Sequence, residues 1–250
     1  MLPRMSRMVY GKRPVMEALR FQTGQVQQLL VDQSKAKILS EVLDLAKKVG
    51  VKAQWTSRAQ LDQLTQGGNH QGAALTVREF DYTSIKDFLA GAGKNAQVVV
   101  ALDGVTDPQN LGSCLRAAGA FGADLVIITK DRSAQVNAAT TRAAAGATEA
   151  VPIARETNLV RALEQLQQAG FWVYGLAVEG ARAIGAADLR GKVVLVLGSE
   201  GEGMRRLVAQ TCDELVHLNA NGPIESLNVG QACAVALYEV FHQKGRATDK

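Results

Sequence analysis

Four runs of the chain are apolar at nearly every position: VVVALD at 98–103, LVII at 125–128, FWVYGLAV at 171–178 and VVLVLG at 193–198. A strand with one face in water alternates apolar and polar residues, because successive side chains point to opposite faces. A strand apolar on both faces belongs in a sheet covered by helices on each side, and such sheets are largely parallel. The segments 110–121, 137–145, 158–169 and 228–243 carry the three-to-four apolar spacing of a helix. Strand and helix therefore alternate, and the expected fold class is α/β, with a parallel-sheet domain over 97–250.

The chain before this domain alternates shorter elements. Val9-Tyr10 precedes a helix over Pro14–Arg20, Val26–Val31 reads as a strand, and Ile38–Val49 as an amphipathic helix closed by Gly50. Val51–Trp55, a short helix over Ser57–Leu64, and Ala73–Val77 complete a small α/β domain over 1–78, large enough to fold by itself. The following EFDYTSIKDFLAGAGKNA, 79–96, has one short apolar turn and a Gly-Ala-Gly stretch, and is expected to be a linker.

Charge separates the two domains. Residues 1–78 hold 12 Lys and Arg against 5 Asp and Glu; residues 79–250 hold 16 against 19. A basic domain beside a slightly acidic one fits a polyanion docked on the former, while a solvated basic surface is the plainer alternative. Lys12, Arg13 and Arg20, with Asn69, His70 and Gln71, are the candidates for contacting such a polyanion. Their alternative is a solvated surface plus one loop histidine.

Cys114, Cys212 and Cys233 are far apart, odd in number and set in apolar context, which argues against a disulfide framework. His70, His217 and His242 form no ligand spacing with them, and no metal is expected. No apolar run is long enough to span a bilayer, and the opening MLPRMSRMVYGKRP lacks the hydrophobic stretch of a secretory signal. A cytoplasmic protein with no membrane partner is expected, the basic opening serving as an arm rather than a transit peptide.

In open α/β sheets, ligands bind beyond the carboxyl ends of the strands, so the loops there carry most information. After 98–103 comes DGVTDPQNLGSCLR, which puts Asn110 at an expected helix cap and Arg116 about a turn and a half into that helix. After 193–198 comes GSEGEGM, with three glycines in six residues. Its order, GxxGxG, is neither a dinucleotide fingerprint nor a phosphate loop, and it has no lysine for a phosphate. Glu200 and Glu202 suit an amine or a ribose hydroxyl better. The third loop is LNANGPIESLNVG at 218–230, in which either Ser226 or Asn228 is a sound helix cap.

DPQNLGSCLRAA at 107–118, LGSEGEGM at 197–204 and ESLNV at 225–229, in this order, resemble the three signatures of the SpoU branch of the trefoil-knotted RNA 2′-O-ribose methyltransferases. YGKRPVMEAL at 10–19 and NHQG at 69–72 are similar to the subgroup acting on a guanosine of 23S ribosomal RNA. The resemblance implies a deep trefoil knot in the parallel-sheet domain, an N-terminal domain of the L30e type that binds RNA, and a homodimer. It implies S-adenosyl-L-methionine as cofactor, contacted largely through backbone at Leu197, Gly198, Leu218 and Leu227, with Gly201, Gly203 and Gly222 permitting close approach. It implies active-site roles for Asn110, Arg116, Glu200, Ser226 and Asn228. One departure stands out: Gly230 replaces the serine usual after the Asn-Val pair, so a changed helix start or donor packing is expected, with activity kept.

The resemblance also implies that Arg116 contacts an RNA phosphate and assists deprotonation of the ribose hydroxyl. A guanidinium stays protonated in proteins, so Arg116 is read as a positioning and electrostatic residue, with the proton acceptor open. Ribosomal RNA or a pre-ribosomal particle is the expected partner. The alternatives are a transfer-RNA ribose methyltransferase or an antibiotic-resistance enzyme of the same family, a non-catalytic RNA-binding or ribosome-assembly protein, and a nicotinamide oxidoreductase, which the missing dinucleotide fingerprint disfavours.

Overall fold

The computed structural model describes residues 6–91, 97–180, 182–219, 222 and 227–248, with residues 149 and 246–248 described by backbone alone. These divide into two compact units. One runs to Asp81, with 137–139 clustering alongside; the other begins at Tyr82.

The first unit contains β1 (Ser6–Tyr10), α1 (Lys12–Phe21), β2 (Val26–Asp32), α2 (Ser40–Lys48), β3 (Ala53–Thr56), α3 (Arg58–Leu64) and β4 (Ala73–Arg78). The strands form one sheet in the order β1-β4-β2-β3, antiparallel except for the parallel β2–β3 pair. Two-residue alternation decides what each face buries. Leu29 and Val31 of β2 join Ala73, Leu75 and Val77 of β4 against Val15, Ala18 and Leu19 of α1 and Val42 and Ala46 of α2. Leu30 and Ala74, one residue out of step, face the opposite side with Leu61 of α3. Each fully buried leucine contributes about 1.5–3 kcal/mol, so both faces help to fix the register.

The second unit starts earlier than the sequence indicates. Ile85–Ala90 forms α4, capped by Ser84, whose Oγ accepts from Asp87 N at 3.1 Å. Ile85 and Phe88 are 1% and 5% exposed and enter the core of the parallel sheet. The expected 79–96 linker is thus corrected for 82–91. Two apolar residues three apart are enough to dock one helical turn but too few to register as a periodic pattern. Residues 92–96 lie outside the described residues.

The remaining elements are β5 (Val98–Asp103), α5 (Pro108–Ala120), β6 (Leu125–Thr129), α6 (Ala138–Ala144), α7 (Ala147–Ala150), β7 (Ile153–Glu156), α8 (Leu159–Gln168), β8 (Trp172–Leu176), β9 (Arg182–Ala183), β10 (Val193–Gly198), α9 (Arg206–Thr211), β11 (Glu214–His217) and α10 (Val229–Thr248). Seven strands form one sheet, ordered β7-β6-β5-β10-β8-β11-β9, and every neighbouring pair is parallel. Val99, Ala101, Leu125, Ile127, Val194 and Val196 pack on the side of α4 and α8. On α5 and α10, which pack together, Leu111, Cys114, Leu115, Cys233, Ala236 and Leu237 are buried. Both faces are covered, as the continuous apolar runs require.

The strand order also places the site. From β5 the chain passes through α5 to β6 on one side; from β10 it passes through α9 to β11 on the other. The adjacent ends of β5 and β10, with Gly198 opposite Asp103, are therefore a point where the connections diverge and leave a crevice. Among the described residues no helix is long and apolar enough to cross a membrane, and no group of three or more His, Cys, Asp or Glu is placed to hold a metal ion.

Candidate active site

Asp103 ends β5 with its side chain fully buried, which a carboxylate tolerates only when paired. Its partner is Arg205: Nε and Nη2 donate to Oδ1 at 2.7 and 2.6 Å, and the Arg205 backbone N–H donates to Oδ2 at 2.8 Å. This pairing ties the end of β5 to the chain leaving β10, and sequence spacing gave no sign of it. Farther along the first loop, Asp107 caps α5, its Oδ1 accepting from Gln109 N at 3.0 Å, with Pro108 in the first turn. The expected cap at Asn110 is thus corrected. Asn110 lies inside the first turn, and its side chain is left to make another contact.

The second loop is a tight turn. Ser199 N donates to Gly203 O at 3.1 Å and Gly203 N to Ser199 O at 3.0 Å, with φ of 85° at Gly201 and 70° at Gly203. A side chain at either glycine would be strained. Gly198 is required for space: a Cβ there would lie 2.0 Å from the carbonyl carbon of Gly203. The turn folds back on the strand end, and Glu200 projects from it, exposed.

The third loop ends at Asn228, which settles the choice left open for α10. Asn228 O accepts from Ala232 N at 2.9 Å, and Asn228 Oδ1 accepts from Gly230 N at 2.9 Å. The amide nitrogen of the same side chain donates to Asn110 Oδ1 at 2.9 Å and to Glu200 Oε1. Glu200 Oε1 also accepts from Val229 N at 3.4 Å. One side chain from each of the three loops therefore meets at Asn228. Gly230 has a local reason as well: a Cβ there would lie 2.6 Å from Cβ of Ser113 on α5.

Of the other candidates in this unit, Arg116 is exposed on α5, Leu197 is 2% exposed at the end of β10, and Leu227 is 43% exposed beside Asn228. Leu218 is partly buried and Gly222 exposed; Ser226 lies outside the described residues. The loop after β8, which sequence reading did not single out, is held to β11. His217 Nδ1 is 2.8 Å from Gly180 O, and a Cβ at Gly180 would meet Val216 backbone at 2.4 Å.

In the first unit the two stretches carrying the RNA-contact candidates are adjacent. Gln71 Oε1 accepts from Lys12 N at 3.0 Å, and Gly11 N donates to Ala73 O at 3.0 Å. Arg13, Arg20, Asn69 and Gln71 are exposed, and Arg13 and Arg20, two turns apart, project from one face of α1. His70 differs: it is 5% exposed, its Nδ1 accepts from Gly72 N at 3.0 Å, and its Nε2 is 3.0 Å from Asp62 Oδ1. Both ring nitrogens are engaged within the domain, so in this conformation His70 orders its loop.

The second unit is thus a parallel-sheet domain of the ligand-binding α/β class, with amide and carboxylate side chains gathered at its divergence point, and the first is a basic α/β unit. The family model for the SpoU rRNA methylase family matches residues 97–238, and a substrate-binding model for RNA 2′-O ribose methyltransferases matches residues 8–83. The chain is 38% identical over 244 residues to the 23S rRNA (guanosine-2′-O-)-methyltransferase RlmB of Escherichia coli, covering 96% of this chain and 100% of the relative. The Vibrio cholerae protein of the same name is 42% identical over 209 residues, 82% of this chain and 84% of that one. Among solved structures, an AdoMet-bound rRNA methyltransferase from Sinorhizobium meliloti superposes with a TM-score of 0.64 at 26% identity, covering 95% of this chain and 87% of that one. The chain belongs to the SpoU rRNA methylase family and is an RNA 2′-O-ribose methyltransferase that uses S-adenosylmethionine.

Proposed function

We propose that the chain methylates the ribose 2′-hydroxyl of a guanosine in 23S ribosomal RNA, with Asn110, Arg116, Glu200, Ser226 and Asn228 as its active-site residues. The observation that carries the site assignment is the double hydrogen bond of Asn228 to Asn110 and Glu200 across three loops. The donor fits the same place: Gly201 and Gly203, where a Cβ would meet open space, leave backbone bare in the turn at 198–203, and Leu227 offers an exposed apolar side chain. Backbone at Leu197, Gly198, Leu218 and Leu227 is assigned to donor binding, with Gly201, Gly203 and Gly222 allowing close approach.

When bound, S-adenosylmethionine would supply an activated methyl group for in-line transfer to the ribose oxygen, its sulfur leaving as the neutral thioether. Asn228 and Asn110 hold amide groups that orient the hydroxyl, Ser226 shares that task, and Glu200 fixes the Asn228 amide. Arg116 sits on the exposed face of α5 and binds an RNA phosphate, aligning the ribose and stabilising charge. Because its guanidinium stays charged, it leaves the hydroxyl proton to another acceptor. Arg116→Ala is expected to lose turnover while binding of the donor, measured by calorimetry, stays near the parent value; near-normal methylation by that variant removes the role.

The finer architecture belongs to the same proposal. A trefoil knot in the second unit is carried over from the family resemblance, and the helix-flanked mixed sheet of the first supports an L30e-type RNA-binding domain over 1–78. Val235, Tyr238 and Phe241 on α10 are 46%, 53% and 58% exposed, and Phe121 packs its ring 6.1 and 6.2 Å from those of Tyr238 and Phe241. An aromatic face of this kind supports a homodimer formed through α10. The substrate is free ribosomal RNA or a pre-ribosomal particle, and the location is the cytoplasm. Purified protein, labelled donor and 23S or transfer RNA from a strain lacking the gene test the reading. Incorporation at one guanosine ribose of 23S RNA is expected; incorporation only into transfer RNA overturns the substrate.

A further inference from the structure

Asp103, the last residue of β5, lies opposite Gly198, the last residue of β10, in the parallel register of the sheet. Its carboxyl reaches to the far side of the glycine turn: Oδ2 accepts from the Arg205 backbone N–H at 2.8 Å, and Oδ1 accepts from Arg205 Nε and Nη2 at 2.7 and 2.6 Å. One residue therefore fixes both ends of the segment 198–205, the first by strand pairing and the second by its side chain. Between those ends lie the paired backbones of Ser199 and Gly203, the exposed Gly201, and Glu200, whose Oε1 meets Asn228. The chain leaving β5 abuts the base of the same turn: at Gly104, with φ of 73°, a Cβ would lie 3.9 Å from Cβ of Ser199.

The Asp103 side chain is fully buried, whereas that of Arg205 is 61% exposed. Taking a carboxylate out of water to meet a partner still in water returns little net stability, because desolvation offsets the attraction. Such a pair is better suited to fixing geometry. The planar guanidinium and the backbone N–H of one residue, both held by one carboxylate, restrict where the chain leaving the turn can run.

The geometry points to Asp103 and Arg205 as positioning residues for S-adenosylmethionine: the pair holds the turn 198–203 in the shape that the donor meets. A turn already ordered costs the donor no ordering entropy, so the pair sets donor affinity without touching the donor. Both residues lie outside the three motifs at 107–118, 197–204 and 225–229. The inference rests on the reading that this turn binds the donor, and the test separates the two.

Donor Kd is measured by calorimetry on the full-length protein, turnover by methylation of 23S RNA at saturating donor, and folding by denaturant titration. Asp103→Asn has a single oxygen and cannot accept from both the guanidinium and the Arg205 backbone N–H. Its Kd for the donor is expected to rise at least about tenfold, with turnover restored by saturating donor. Arg205→Lys keeps the charge but gives up the planar fork, and is expected to raise Kd at least about threefold. It decides the matter if Asp103→Asn does not fold. A merely structural pair lowers the denaturation midpoint and leaves the Kd of the folded protein alone. Rises below these values, or turnover that saturating donor does not restore, overturn the inference. In that event Gly201→Ala, whose methyl points into open space at the turn, tells whether the donor reading goes with it. Weakened donor binding by that variant keeps the donor at the turn, and unchanged binding removes both.

Discussion

Asn228 uses its whole amide: the oxygen starts α10 and the nitrogen joins the first and second loops. Asn228→Ala removes a helix cap, worth about 1 kcal/mol, and frees Asn110 and Glu200 from a common partner. Turnover is expected to fall on the order of a hundredfold, with donor affinity little changed, as steady-state kinetics beside calorimetry would show. Gly198→Ala acts on the other ligand, since the added methyl has to displace the Gly203 backbone. Loss of donor binding together with a stability loss of about 1–3 kcal/mol is expected, checked by calorimetry and denaturant titration. Burial pushes the Cys212 thiol up to about 12, with Asp213 and Asp103 adding to the effect. Its unfolded form loses the proton first, so stability is present below about pH 9 and declines as pH rises from there toward 12. Cys212→Ser should flatten that decline in denaturation midpoints measured from pH 8 to 10.5.

The same scale shows why only part of the site was legible in the sequence. Asn110, Glu200 and Asn228 stand in short motifs at strand ends, where turn residues and glycines mark the loops. The Asp103–Arg205 pair joins residues 102 apart and has no local signature. His70 sits between two exposed residues, and nothing in the string of letters distinguishes a loop histidine turned inward to Asp62 from one turned outward.

At the scale of elements, the long apolar strands were legible because covering both faces leaves no alternation to misread. β9 and β11 were not, since two and four residues with partly exposed side chains carry no pattern of their own and are fixed by parallel pairing in the sheet. α4 was hidden by its shortness. Its docking makes a definite expectation: Phe88→Ala should cost about 3–5 kcal/mol, read as a lowered denaturation midpoint. A shift below 1 kcal/mol would return 82–91 to the status of a linker. α10 gives a second expectation for the proposed dimer, since Val235, Tyr238 and Phe241 leave apolar surface exposed along this helix. Phe241→Glu should convert a dimer to monomers in analytical ultracentrifugation, and a parent protein that is already monomeric removes the proposed interface.

On the scale of the whole molecule, the two units divide the work by charge and by topology. In the proposed reading the basic first third supplies affinity for RNA, and the divergence of β5 and β10 supplies the crevice for chemistry. Affinity should fall with salt by about 0.7 logarithmic units per phosphate engaged on single-stranded RNA, and Arg13→Ala with Arg20→Ala should shallow that slope. The most direct measurement is methyl transfer by purified protein to 23S RNA from a strain lacking the gene, with the methylated position mapped for parent and Asn228→Ala. A single guanosine ribose methylated by the parent and nearly untouched by the variant is the expected result. Methylation that proceeds equally well without the Asn228 amide, or that falls on a base instead of a ribose, contradicts the site described above.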